Sequence, residues 1–126
     1  NNNGIKHPLY KNKDKKFNSP AFNFDEVVKI PDKGICLASN KINKVQGLYF
    51  EVNKTKIWGL QYHPEITYEK MINLIEFRKE RLIESRKVFK DDTEVQKHIA
   101  FIKKEISVSD KEKRMLELKN WLNELN

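Results

Sequence analysis

The hydrophobic residues of this chain change their periodicity near residue 66. Before that point, short apolar runs bounded by Gly, Asn and Lys predict strands at about residues 35–39, 46–52 and 56–62. Only three residues, Asn53 to Thr55, separate the second strand from the third, so these two are expected to form an antiparallel hairpin. The third run is almost continuously apolar, which favours a central strand. Residues 1–20 are expected to be a loop with a local turn at residues 7–10.

After residue 66 the apolar spacing becomes helical. Thr67 is the predicted N-cap of a long helix, and the pairs Thr93–Gln96 and Ser109–Glu112 fit the capping box that opens a helix. We expect the apolar stripe of each helix to pack on the rest of the protein, with Trp121 as a buried anchor. The three stripes are Met71, Leu74, Ile75, Leu82 and Ile83; Val95, Ile99, Ile102 and Ile106; and Met115, Leu118, Trp121, Leu122 and Leu125.

His63 and Glu65 follow the third predicted strand and are separated by Pro64. Proline biases the preceding residue toward extended dihedral angles, and alternate side chains of an extended segment share a side. His63 and Glu65 are therefore expected to point the same way. A carboxylate that holds one imidazole nitrogen leaves the other free to act as a base, which is the chemistry of a catalytic dyad.

The segment Gly59-Leu60-Gln61-Tyr62-His63-Pro64-Glu65 resembles the His-Pro-Glu segment of class I glutamine amidotransferases, written Gly-x-Gln-(Phe/Tyr)-His-Pro-Glu. The resemblance implies that a cysteine thiolate attacks the side-chain amide of glutamine, that His63 takes and returns the proton, and that Glu65 orients His63. The tripeptide alone also fits a strand-terminating turn with a surface ion pair.

Upstream, residues 25–34 are similar to a second family segment, but Asn23-Phe24 replaces its usual His-Ser pair, so no substrate contact is carried over.

The single cysteine, Cys36, lies in Gly34-Ile35-Cys36-Leu37-Ala38, which imitates the family's Gly-x-Cys-x-Gly nucleophile elbow. An elbow needs a helix directly after the cysteine, because the helix N-terminus favours the thiolate and its N–H groups form the oxyanion hole. Residues 37–43 predict a loop and then a strand. Cys36 is therefore expected to be a small buried hydrophobe. The nucleophile is expected upstream of Asn1, and this chain alone is expected to be inactive.

The pattern Arg114-x-x-Glu117-x-x-Asn120-Trp121-Leu122 is similar to the C-terminal tail of stand-alone, GMP-synthase-like amidotransferases, although an ordinary amphipathic helix explains it equally well. Together the resemblances imply an α/β fold: the C-terminal part of a three-layer, flavodoxin-like amidotransferase domain, with an antiparallel hairpin, the His-Pro-Glu strand and three C-terminal helices. The expected division is residues 1–66 for that half domain and residues 67–126 for a helical extension packed on it.

The net charge of +7 raises the alternative of a nucleic-acid-binding protein. The excess lies in residues 1–65, which hold eleven Lys against six acids, whereas residues 66–126 hold fourteen Lys and Arg against twelve acids. A solvated lysine-rich loop explains this distribution better than a phosphate-binding patch. The sequence predicts neither a metal nor a cofactor, because its three histidines are scattered and it has no Gly-rich phosphate loop. The histidines are His7, His63 and His98.

The sequence has no apolar run long enough for a membrane span and no leader, which predicts a cytoplasmic protein. The expected partners are L-glutamine and a synthase domain or subunit that accepts ammonia, whose identity the sequence does not show. An alternative is a degenerate, non-catalytic amidotransferase fold that binds or regulates a partner. A cysteine elbow upstream of residue 1 would distinguish the enzyme from this alternative.

Overall fold

The computed structural model describes residues 1–125 and divides into two compact units. One unit contains Asn1–Glu65 together with the segment that begins at Lys111, and the other is Ile66–Asp110. The chain therefore leaves the first unit after Glu65 and returns to it at Lys111. The division expected from the sequence, into a half domain and a helical extension, stays a prediction.

The first unit contains a three-stranded antiparallel sheet in the order β1-β2-β3. The strands are β1 (Ile35–Ala38), β2 (Gly47–Val52) and β3 (Thr55–Leu60). Asn53 and Lys54 connect β2 to β3 with φ angles of 50° and 68°. Two successive positive φ angles are typical of the type I′ turn, whose twist matches that of a hairpin. The predicted hairpin is confirmed, and the chain is α/β.

The expectation that β3 is a central strand is wrong. β3 pairs with β2 on one side, and the only further bridge in this part of the chain, within residues 1–125, joins Tyr62 to Ala21. The antiparallel order places β3 at the margin of the sheet, and none of its six residues is fully buried. The apolar run that suggested a central strand is half-buried instead, under the N-terminal segment.

The N-terminal segment is more ordered than expected, since residues 2–6 form helix α1 (Asn2–Lys6) where a loop was predicted. Asn1 caps it by accepting a hydrogen bond from the Gly4 amide at 2.9 Å. A Cβ atom at Gly4 would lie 2.0 Å from the Leu37 carbonyl oxygen, so only glycine permits this approach of α1 to β1. A five-residue helix is too short to show helical periodicity. The predicted local turn is a 3₁₀ turn at Pro8–Tyr10, which contributes to a core of Leu9, Tyr10, Leu37 and Tyr62.

The second unit is helical. Helix α2 (Tyr68–Phe77) is capped by Thr67, whose hydroxyl accepts from the Lys70 amide at 3.1 Å, as predicted. A π-helical turn (Arg81–Ser85) and helix α3 (Asp92–Val108) follow. Val95, Ile99 and Ile102 are buried on α3, which confirms most of the predicted stripe.

The predicted start of α3 is wrong by two residues. Asp91 is the N-cap, because its carboxylate accepts a hydrogen bond from the Glu94 amide at 2.9 Å. Aspartate caps as well as threonine does, and Asp91 comes first along the chain. Gln96, the other half of the expected box, donates instead to a Glu76 carboxylate oxygen at 3.0 Å.

The last two helices, α4 (Lys111–Arg114) and α5 (Leu116–Glu124), also differ from expectation. Ser109 forms the C-cap of α3 instead of an N-cap, and Glu112 pairs with Lys119 at 3.0 Å. The anchor role of Trp121 is wrong, since 42% of this residue is exposed. The residues buried on these helices are the polar ones, Arg114, Glu117 and Asn120.

Among residues 1–125, no helix combines the length and apolarity needed to cross a bilayer.

Candidate active site

The segment that carries His63 is held by backbone hydrogen bonds after β3 ends at Leu60. The Gln61 amide donates to the Gln46 carbonyl at 2.9 Å, and the His63 amide donates to the Pro20 carbonyl at 2.8 Å. Gln61 is therefore held by the residue that precedes β2, and His63 is held by the N-terminal segment. This arrangement fixes the direction in which the His63 side chain leaves the backbone.

His63 and Glu65 contact each other as expected. The His63 Nδ1 atom lies 2.8 Å from Glu65 Oε1, and 38% and 51% of the two side chains are exposed. A carboxylate only accepts, so in the neutral imidazole the proton lies on Nδ1 and the lone pair on Nε2. Burial raises the pKa of the Glu65 carboxyl, but the hydrogen bond from His63 and one from the Glu65 backbone amide, followed by the charges of His63 and Arg114, together lower that pKa below its ordinary value. The pair thus presents a solvent-accessible base next to an ionised carboxylate.

Tyr62 anchors the same segment in the core. Its hydroxyl donates to Glu117 Oε1 at 2.7 Å and forms a 2.9 Å hydrogen bond with the Tyr10 hydroxyl. Burial raises the pKa values of the Tyr10 and Tyr62 phenols well above the ordinary value for tyrosine, so both phenols stay protonated at physiological pH. His63 therefore follows a residue whose side chain is fixed at its polar tip as well as by its ring.

Three polar side chains at a spacing of three residues form what we call the buried row: Arg114, Glu117 and Asn120. Arg114 Nη1 donates a hydrogen bond to the Pro64 carbonyl oxygen. Glu117 is fully buried, and its carboxylate accepts a 2.8 Å hydrogen bond from Lys13 Nζ. Asn120 Nδ2 donates to the carbonyl oxygens of Leu9 and Lys11, at 2.9 and 3.0 Å.

The sequence indicated the buried row only as part of a tail resemblance and assigned burial to the apolar residues of the same segment. Residues three apart lie on one face of a helix, so the spacing itself was a usable signal. Nothing in the sequence pairs this face with Tyr62 and Pro64, because those partners lie 50 or more residues away.

Cys36 lies within β1 and not in a strand-to-helix elbow. Its Sγ atom is 3.4 Å from the Ala38 carbonyl oxygen and 3.5 Å from that of Lys44. The next regular element in the described chain is β2, so no helix N-terminus follows the thiol. The residue is half-buried, which is more exposed than the buried hydrophobe expected.

The other two histidines contact different residues from those around His63. His7 Nδ1 accepts from the Leu9 amide at 3.2 Å, and its ring packs against Tyr49 and Trp58. His98 is on α3, in the other unit, beside aromatic rings. Within residues 1–125, no group of three His, Cys, Asp or Glu side chains is arranged to hold a metal ion.

A cavity of about 380 Å³ lies between the N-terminal segment and the end of β1. Tyr62 contributes to its lining, together with Lys13 and Ser19. The Ser19 Oγ atom is buried there without a hydrogen-bond partner. His63 and Glu65 are not among the lining residues, so this cavity is separate from the pair.

Two curated proteins are similar to part of the chain. A γ-glutamyl-L-1-hydroxyisopropylamide hydrolase from a Pseudomonas species is 31% identical over 64 residues, which is 51% of this chain and 21% of that protein. One component of the glutamine-hydrolysing GMP synthase from Methanocaldococcus jannaschii is 38% identical over 68 residues, which is 53% of this chain and 35% of that protein. The matches indicate a glutamine amidotransferase-like region in this chain.

The amidotransferase-like region corresponds to about a fifth and about a third of the lengths of these two relatives. No protein-family model matches the chain, and no solved structure matches it. The similarity therefore concerns only a part of each relative.

Proposed function

We propose that this chain supplies the histidine and the glutamate of a Cys-His-Glu triad that hydrolyses the side-chain amide of glutamine. The observation that supports this function best is the 2.8 Å contact between His63 Nδ1 and Glu65 Oε1. In this proposal the first unit is the C-terminal part of a class I amidotransferase domain with a three-layer, flavodoxin-like arrangement. The nucleophilic cysteine and the oxyanion hole belong to the part of the domain that precedes Asn1.

The proposed reaction begins when His63 Nε2 accepts the proton of the cysteine thiol. The thiolate attacks the carboxamide carbon of glutamine, and the resulting imidazolium donates its proton to the departing nitrogen, which leaves as ammonia. Water then attacks the glutamyl thioester while His63 accepts its proton and returns it to the thiolate, releasing glutamate. Glu65 holds Nδ1–H throughout and stabilises the imidazolium, because its carboxylate remains ionised.

The two similar proteins support a γ-glutamyl amide as the substrate class. Glutamine is itself a γ-glutamyl amide, so the same kind of bond is the target of a γ-glutamyl amide hydrolase and of a glutamine-hydrolysing synthase. We favour L-glutamine, with the ammonia passed to a synthase domain or subunit. The match to the Pseudomonas hydrolase supports a second candidate, hydrolysis of an N-substituted γ-glutamyl amide with water as the only acceptor.

The test uses the full-length protein and measures ammonia release from glutamine. His63→Ala should abolish hydrolysis, whereas Glu65→Gln should leave a reduced rate, since the base remains but loses its orienting charge. His98→Ala is the matched control, because His98 lies in the other unit, and it should keep the parental rate. Parallel assays with N-alkyl γ-glutamyl amides separate the two candidate substrates. Near-parental ammonia release by His63→Ala would refute the catalytic assignment and favour a non-catalytic, partner-binding role.

A further inference from the structure

The backbone between His63 and Glu65 is held by a charged side chain from the end of the chain. The Arg114 guanidinium donates to the carbonyl oxygen of Pro64, and both residues are buried. Pro64 is the only residue between the two members of the pair. Rotation of its peptide group would change the angle between the side chains on either side of it.

A second contact from the buried row holds the residue before His63. Glu117 accepts a hydrogen bond from the Tyr62 hydroxyl and forms an ion pair with Lys13. The Lys13 ammonium also donates hydrogen bonds to the carbonyl oxygens of Lys113 and Arg114, at 2.8 and 3.3 Å. The segment from Tyr62 to Pro64 is thus bound at the Tyr62 side chain and at the Pro64 backbone by two residues that are three positions apart in the sequence.

We propose that Arg114 is a positioning residue for the His63–Glu65 pair, and that Glu117 supports it by fixing Tyr62. This inference rests on the proposed function. Arg114 fixes the Pro64 carbonyl, so the two side chains stay within hydrogen-bond distance. Its positive charge also favours the ionised form of Glu65, which is the form that accepts Nδ1–H from His63.

A purely structural role would not require a charge at this position. Burying a guanidinium costs desolvation free energy, and an apolar side chain of similar volume often stabilises a protein equally well. A long apolar residue at position 114 would keep the packing of the helix but could not bind the Pro64 carbonyl or act on Glu65. An apolar substitution at position 114 therefore distinguishes a positioning role from a packing role.

The experiment compares Arg114→Met, Arg114→Lys and the control Lys119→Met in the full-length protein. Lys119 is on the same helix pair, but its ion pair with Glu112 is exposed. Arg114→Met should lower kcat for glutamine by about 100-fold with KM changed less than about twofold, since a small misplacement of a catalytic group has an effect of that size. Arg114→Lys should have a kcat at least about tenfold higher than that of Arg114→Met, because an ammonium also donates a hydrogen bond to a carbonyl. Lys119→Met should match the parent.

A second readout does not depend on turnover. In protein labelled with ¹⁵N-histidine, long-range ¹H–¹⁵N spectra distinguish the Nδ1–H from the Nε2–H tautomer of neutral His63. The parent and Lys119→Met should show the Nδ1–H form, and Arg114→Met should show a mixture, because Glu65 is no longer held in place.

The outcomes separate this inference from the proposed function. Parental kcat and an unchanged tautomer in a folded Arg114→Met protein would overturn the positioning role. Should Arg114→Met fail to fold, Arg114→Leu replaces it under the same criteria, because leucine is also an apolar helix former that donates no hydrogen bond to the Pro64 carbonyl. If His63→Ala keeps full ammonia release, the proposed function fails, while the tautomer measurement still tests whether Arg114 positions the pair.

Discussion

The carboxylate of Glu117, buried on α5, accepts a 2.7 Å hydrogen bond from the hydroxyl of Tyr62, the residue that precedes His63. A buried carboxylate is costly unless its charge and lone pairs are satisfied. Lys13 supplies the opposite charge at 2.8 Å, and its own side chain is only 5% exposed. Helix α5 is therefore attached to the site-bearing segment through buried polar contacts.

The first prediction concerns stability. Glu117→Ala should lower the free energy of unfolding by about 3–5 kcal/mol, because it leaves the Lys13 ammonium buried without its partner. Trp121→Ala should cost less than Glu117→Ala, since 42% of Trp121 is exposed whereas Glu117 is fully buried. Urea denaturation of the two variants beside the parent measures both values. The reverse order, with the tryptophan variant more damaging, would show that the apolar face of α5 is the packed one.

The sequence predicted best what depends on neighbouring residues. The hairpin at Asn53 and the contact between His63 and Glu65 are determined by a turn and by the alternation of side chains along two residues. The catalytic role of this pair stays a prediction.

The buried face of α5 could not be predicted in this way. Periodicity assigns burial to apolar residues, whereas here hydrogen bonds with distant parts of the chain favour burial of Glu117 and Asn120. The short helix α1 was missed for a related reason, since its position depends on a close approach to Leu37 that no local pattern encodes.

The second prediction concerns pH. Burial lowers the pKa of His7 below its ordinary value of 6.5, although the negative charge of Glu124 acts in the opposite direction. The unfolded chain therefore binds a proton at a higher pH than the folded one. The contribution of His7 to stability is fully present above about pH 6.5 and is lost as the pH falls from there through the folded pKa. Protonation also removes the Nδ1 lone pair that accepts from the Leu9 amide.

His7→Asn should make the decline in melting temperature between about pH 7 and pH 5 shallower than in the parent, because asparagine caps without titrating in this range. Thermal melts at several pH values measure the slope. His98→Gln is the comparison variant, since burial also lowers the pKa of His98, and it reports the other unit. A His7→Asn slope as steep as that of the parent would contradict the prediction.

The third prediction concerns the thiol in β1. Cys36→Ser in the full-length protein should keep most of the ammonia release from glutamine, because no helix follows Cys36 to activate it. A glutamine-analogue electrophile followed by peptide mass spectrometry provides an independent test, and the label should lie on a different cysteine. Label on Cys36 itself would make this residue the nucleophile and the chain a complete hydrolytic unit.

The fourth prediction uses the turn between β2 and β3. Lys54 has a φ angle of 68°, which is unfavourable for a residue with a Cβ atom. Lys54→Gly should raise the free energy of unfolding by about 0.5–1 kcal/mol, since Asn-Gly is the preferred type I′ pair. Lys56→Gly, a control in the neighbouring strand, should instead be destabilising. The urea midpoints of the two variants are expected to move in opposite directions, and a lower midpoint for Lys54→Gly would argue against the turn type.

The contacts of the buried row join parts of the chain that are synthesised far apart in time. Arg114 and Pro64 are separated by 50 residues, and Asn120 and Leu9 by 111. Contacts of such sequence separation form late, because the chain between them must be ordered first. A nascent chain that has emerged only as far as residue 110 carries both His63 and Glu65 but lacks every residue of the buried row. Such a chain therefore contains the motif without the side chains that contact Tyr62 and Pro64 in the folded protein.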